Sequence, residues 1–194
     1  MFIALEGVGG CGKSTLAAVL ARRLTCPVIH TAPEPLVELQ PYINRHAKPL
    51  PHLMFYLAAV LHSSDLVRDA LVSGNAIADR YISSVIANHA AVHNSGNTDA
   101  RTAIAPFLDY VLVPDLTVYL HASPETLSAR GWRRFAQTKR RPQWTDVLAR
   151  AQQRFDEVAA EDPTALHLQT DDQGPEQIAE LVVRALPTHV PAKA

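Results

Sequence analysis

GVGGCGKS, residues 7–14, satisfies the pattern G-x-x-x-x-G-K-[ST] at every fixed position. The pattern answers one physical demand. Successive backbone N–H groups must turn inward around phosphate oxygens, and a glycine-rich turn lets the backbone do so. Gly7, Gly9, Gly10 and Gly12 are read as supplying that freedom, with Cys11 a small filler at a variable position. Lys13 is expected to bridge the β- and γ-phosphates of a nucleoside triphosphate. The Ser14 hydroxyl, with Thr15 beside it, is expected to face Mg²⁺. The helix that starts here adds the positive end of its dipole.

Outward from this loop, short apolar runs alternate with longer helical patterns. FIALE (2–6) reads as a buried strand, and Ser14–Leu24 as a helix with Leu16, Val19, Leu20 and Leu24 on one face. Further strands are expected at 27–31, 76–79, 116–122 and 165–169. Helices are expected at 53–71, 82–93, from Pro124, at 144–161 and at 175–186. This alternation predicts an α/β domain, a three-layer α/β/α sandwich around a five-stranded parallel sheet, with ligands at the carboxyl ends of the strands. Residues 1–186 are read as one domain, with a helical lid at about 124–150 and a C-terminal tail over 187–194.

Composition narrows the class. The chain has 194 residues, 47% of them apolar, and a formal net charge of −1, so nothing drives it generally toward nucleic acid or anionic membrane. Two cysteines, one inside the glycine loop, argue against a structural disulfide and for a reducing cytoplasm. No apolar run is long enough to span a bilayer.

Other pieces of the sequence resemble one family. EGVGGCGKST (6–15), LVSGNAIADRY (71–81) running into DRYISS (79–84), PDLTVYLHASPETLSARGWRR (114–134) and LHLQTDDQGPEQIAELVVRAL (166–186) are similar in order and spacing to segments of thymidylate kinases. The resemblance spans nearly the whole chain. It implies an ATP- and Mg²⁺-dependent kinase for a nucleoside monophosphate or nucleoside. It implies that Asp79 holds Mg²⁺ through water, that Arg80 contacts the acceptor or the transferring phosphoryl group, and that Glu34 of the Glu-Pro pair faces the acceptor. The family often dimerises, so a homodimer is expected.

Arg130, Arg133, Arg134, Lys139, Arg140 and Arg141 lie within twelve residues that contain no acid. They are six of the eighteen Lys and Arg against nineteen Asp and Glu, so the rest of the chain carries a net charge near −7. Concentrated cations on an otherwise acidic protein call for an anion. The resemblance makes this segment the lid over ATP, with Arg130 and Arg134, four apart on one helix face, contacting nucleotide and transition state. Trp132 and Phe135 leave a polyanion surface as a second reading.

The acceptor side departs from the family. Gly9 stands where thymidylate kinases usually carry an acid, and Pro33 and Ala59 where they usually carry arginines. PEPL (33–36) resembles deoxynucleoside kinases, whose glutamate takes the proton of the attacking hydroxyl. The nine histidines are scattered, with no zinc-like cluster read among them. His62 is read as a packing residue in the helix lining the acceptor cleft. Arg45 and Arg101 could fold back to replace the missing cations. Rival readings are a kinase for a non-nucleotide metabolite and an ATP-binding switch without a small-molecule acceptor.

Overall fold

The computed structural model describes residues 1–138 and 146–187; side chains are described except for residues 132–138 and 146. Five parallel strands, β1 (Phe2–Glu6), β2 (Val28–His30), β3 (Ala76–Asp79), β4 (Leu116–His121) and β5 (Ala165–Gln169), lie in the order β2-β3-β1-β4-β5. β1 is central and buried along its whole length. This explains its unbroken apolar run: a strand covered on both faces has no solvent side to alternate with. The register Leu5↔Asp79 on one side and Glu6↔Tyr119 on the other brings the ends of β3 and β4 beside the phosphate loop.

Among the described residues eight α-helices flank the strands: α1 (Lys13–Leu24), α2 (Leu36–His46), α3 (Pro49–Ser73), α4 (Ile82–His93), α5 (Asn97–Ile104), α6 (Pro124–Thr138), α7 (Asp146–Ala160) and α8 (Pro175–Ala185). α1 packs on α8, while α3, α4 and α7 pack side by side. The result is the expected three-layer sandwich. Proline opens α3, α6 and α8, where its missing N–H has no intrahelical partner to lose.

Three regions differ from expectation. α2 was not legible because Pro41 sits inside it. Proline normally interrupts a helix by removing one bond of the ladder, yet α2 continues past it. α3 begins at Pro49, four residues before the apolar periodicity announces it, so His52 lies in its first turn. Residues 97–110, unassigned by pattern, form α5 and a following 3₁₀ turn.

Candidate active site

The carboxyl ends of the strands enclose a cavity of about 990 Å³. One half of it is walled by the phosphate loop. Gly7, Gly10 and Gly12 adopt φ of 130°, 92° and 110°, the left-handed region that glycine tolerates best. Gly7 also lies against β4: a Cβ there would sit 2.4 Å from the Leu120 carbonyl oxygen. Gly9 does not belong with them. Its φ is ordinary, and a Cβ would meet nothing within 4 Å. The expectation that all four glycines supply turn freedom therefore holds for three.

Lys13 is buried, and its Nζ donates to the carbonyls of Gly7 at 2.9 Å and Val8 at 2.7 Å, with Cys11 Sγ at 3.4 Å. Burial, reinforced by the nearby Arg80 charge, pushes its pKa down to about 8. Cys11 is wholly buried under the loop, as a filler should be. Ser14 and Thr15 are exposed to the cavity, and no side chain caps the first turn of α1. Those first N–H groups remain donors for an anion.

Asp79 ends β3, is nearly buried, lines the same cavity, and has His30 Nδ1 at 3.8 Å. Arg80 follows in the left-handed region at φ 70°, a conformation worth roughly 1–3 kcal/mol of strain for a side-chain-bearing residue. It is held there from both ends. Its N–H donates to Leu5 O at 3.0 Å, and its Nη1 donates to Gly7 O at 3.0 Å and to Ser84 Oγ at 3.2 Å.

Behind Arg80 sits a residue that motif reading passed over. Glu6, wholly buried, accepts the N–H of Tyr81 at 2.9 Å and of Ser84 at 3.1 Å, and the Ser84 hydroxyl as well. Burial holds its carboxyl above the usual range, opposed by the Ser84 hydroxyl bond and the Arg80 charge. A carboxylate at a helix N-terminus is favourably placed. Its only sequence signal is an acid ending an otherwise apolar strand.

Arg130 reaches back from α6. Nη1 donates to Thr170 Oγ1 at 2.8 Å and to Gly10 O at 3.3 Å, and Nη2 donates to Thr170 O. It ties the phosphate loop to the end of β5. Arg134 lies on α6, but its side chain, like Lys139, Arg140 and Arg141, falls outside what is described.

The other half is built from α2, α3 and α4. Val37, Gln40 and Asn44 come from one face of α2, His52 and Tyr56 from α3, and Ser84, Val85, Asn88, His89 and Val92 from α4. Several sequence expectations are revised here. Ala59 is wholly buried and does not line the cavity, so its position is a packing one. His62 is exposed and neither lines the cavity nor packs in the core. Arg101 pairs with Glu161 at 3.4 Å, and Arg45 is exposed; neither lines the cavity. Glu34 is exposed on the loop before α2 and is not among the lining residues, although Ala32 and Val37 on either side are. The histidines are not scattered: one ring nitrogen each from His52, His89 and His93 lies within 4.8 Å of the others.

A family model described as thymidylate kinase matches residues 5–182. The chain belongs to the thymidylate kinase family. It is 32% identical to a probable thymidylate kinase of Methanocorpusculum labreanum, over 96% of this chain and 99% of that protein. Among solved structures it is similar to a thymidylate kinase from Candida albicans, with TM-score 0.72 and 22% identity over 94% of this chain and 89% of that one. A deoxyadenosine kinase from M. mycoides, described with the products dCMP and dCDP bound, has TM-score 0.67 and 20% identity over 95% of this chain and 97% of that one. The likeness to these two structures is one of fold. Thymidylate kinase family membership makes the chain an ATP-dependent phosphotransferase. Among the described residues, no helix is long and apolar enough to cross a membrane.

Proposed function

We propose that this thymidylate kinase family member transfers the γ-phosphoryl group of ATP to a hydroxyl of a nucleoside or an unusual nucleotide, and that dTMP is a poor acceptor. One observation carries the reading. Among the described cavity-lining residues the Lys and Arg are Lys13, Arg80 and Arg130, and each donates to a carbonyl of the phosphate loop, at Gly7, Val8 or Gly10. The acceptor end offers instead the neutral polar groups of Gln40, Asn44, Tyr56 and Asn88. Those groups suit sugar hydroxyls and base edges. A monophosphate buried among them without a paired cation would be costly.

Pro33 stands where the family usually has an arginine, and one lost charge-assisted contact costs roughly 1.5–3 kcal/mol, about one to two powers of ten in affinity. Arg80 retains part of the grip, so some monophosphate activity survives.

In this reading Lys13 and Arg130 orient the phosphates, and Arg80 neutralises charge on the group in transit. Ser14 and Asp79 are oxygen donors on one cavity wall, the donor type Mg²⁺ takes. When bound, the ion neutralises charge on the β- and γ-phosphates. With Asp79 turned to that task, Glu34, on the loop before α2 between the lining residues Ala32 and Val37, is the carboxylate that accepts the hydroxyl proton. The acceptor oxygen forms its bond to phosphorus as the bond to the β–γ bridging oxygen breaks, and ADP leaves. Arg134 supports the transition state from the lid. The free thiols of Cys11 and Cys26 fit a cytoplasmic setting, and a homodimer belongs to the same reading.

A panel of nucleosides, nucleoside monophosphates and sugar-like metabolites, assayed for ADP release, tests the proposal. We expect a nucleoside or unusual nucleotide to exceed dTMP by at least about tenfold in kcat/KM. dTMP turnover with kcat/KM near 10⁵ M⁻¹s⁻¹ or above, the ordinary enzyme range, overturns it. ATP binding with no small-molecule product would favour a switch. Glu34→Gln should lose kcat while keeping acceptor binding.

A further inference from the structure

His89 and His93 lie four residues apart and share a face of α4, and His52 meets them from the first turn of α3. The ring centroids are 4.6 Å apart for His89–His93, 5.0 Å for His52–His93 and 5.9 Å for His52–His89. Three imidazoles bound tetrahedrally to one zinc ion, with Zn–N of about 2.0–2.1 Å, would place their centroids about 5 Å apart. The rings are tilted by 33° to 79° rather than stacked.

The hydrogen-bond inventory points the same way. His52 Nδ1, His89 Nδ1 and His93 Nε2 are buried with no partner among the described residues. A trio kept only for packing would be better served by leucine or phenylalanine, since buried polar atoms normally find partners. The tautomer of His52 is fixed from outside. Asn44 Oδ1 accepts the Tyr56 hydroxyl at 2.8 Å and lies 3.2 Å from His52 Nε2. As an acceptor it takes the Nε2 proton, which leaves the lone pair on Nδ1, the unpartnered atom. Metal-bound histidines are oriented by bonds of this kind on the far ring nitrogen.

We propose that His52, His89 and His93 form a binding site for a divalent transition-metal ion of the zinc class, with a fourth coordination position opening on the acceptor half of the cavity. Burial, together with the neighbouring rings for His52 and His89, holds these imidazoles below their usual range, His89 at about 4. Three nitrogens suit zinc-class ions, whereas the oxygen donors Ser14 and Asp79 suit magnesium. His52 and His89 line the cavity, so water or an uncharged donor atom of the acceptor, such as a sugar hydroxyl, completes the shell. The acceptor's part in that shell rests on the proposed function; the ion's binding to the three rings does not.

The test uses the full-length protein, stripped with chelator and held in excess Mg²⁺ without nucleotide. Co²⁺ should produce the visible absorption of a tetrahedral nitrogen site, and Zn²⁺ should abolish it. Calorimetry should give one Zn²⁺ per chain with a Kd of about 1 μM or tighter. Affinity should fall more than about 100-fold in His93→Gln and in His89→Ala. It should fall about 10–100-fold in Asn44→Ala, which removes the orienting bond. His167→Ala, which alters the separate His121–His167 pair at 3.0 Å, should leave it unchanged. Circular dichroism establishes that each variant is folded, and the wild-type titrations stand if one is not. A wild-type Kd weaker than about 1 mM, displacement by Mg²⁺, or undiminished binding in both folded histidine variants overturns the proposal. Metal binding without any acceptor activity would leave this site standing and remove the proposed function.

Discussion

Glu6 and Ser84 close on each other twice: Glu6 Oε1 accepts the Ser84 N–H at 3.1 Å, and Glu6 Oε2 accepts the Ser84 hydroxyl. The same hydroxyl receives Arg80 Nη1 at 3.2 Å. The end of β1 thus sets the first turn of α4 and, through it, the arginine that faces the phosphate loop. Glu6→Ala should leave two buried N–H groups unpaired and cost about 2–5 kcal/mol. For a chain of this size that is a fall of roughly 5–15 °C in Tm. Glu6→Gln should keep most of the stability but lower kcat by about tenfold, because it removes the charge beside Arg80. Thermal melts and steady-state kinetics on both variants check this. Wild-type kcat in a well-folded Glu6→Gln would confine Glu6 to a structural role.

Lys13 gives a pH dependence with a definite sign. Its folded pKa is about 8, against an ordinary value of 10.5. Between those values the unfolded chain binds more protons than the folded one, so folding stability rises with pH across the window. The destabilisation from burying the charge is fully present below about pH 8 and is relieved toward pH 10.5. Measured against Lys13→Met, wild-type stability should gain about 2–3 kcal/mol over that range, at 1.36 kcal/mol per pH unit. Denaturant titrations of the two proteins at several pH values decide it; a constant difference would mean that Lys13 keeps its proton. At neutral pH, Lys13→Ala should lower turnover by several orders of magnitude with the fold intact.

Arg130 and Arg134, both on α6, should separate kinetically. Arg130 is already bonded to Thr170 and Gly10, contacts that shape the nucleotide site in the ground state. Arg130→Ala should therefore raise KM for ATP by about tenfold with a smaller effect on kcat. Arg134→Ala should lower kcat more than it raises KM, since a contact made only in the transition state is worth little before it. Equal kinetics for wild type and Arg134→Ala would reduce the basic run to a solvated face.

Two glycines that look alike in the motif should behave oppositely. Gly7→Ala forces a Cβ to within 2.4 Å of the Leu120 carbonyl oxygen at φ 130°. It should abolish ATP binding and lower Tm. Gly9→Ala meets nothing within 4 Å and should retain ATP affinity within about threefold. Calorimetric ATP titration of both variants is sufficient. Comparable losses would mean that Gly9 contributes to the phosphate cradle after all.

The sequence by itself determined the phosphate loop and its setting. The chemistry of the phosphate loop is local: eight contiguous residues, a strand before and a helix after, each readable from residue type and period. The central strands β1 and β3 were equally legible, because a strand buried along its whole length must be largely apolar. The opposite wall of the cavity was decided only by tertiary structure. α2 runs through Pro41 against local propensity, and α3 starts four residues before its apolar pattern, which puts His52 where His89 and His93 can meet it. The His89–His93 spacing was visible in the sequence, but the third ring lies 37 positions away from His89 on another helix. Which face of α3 meets the cavity, with His52 and Tyr56 on it and His62 in solvent, is set by packing between helices. Hydrophobic period reports that a helix has a buried side; it does not report what that side touches.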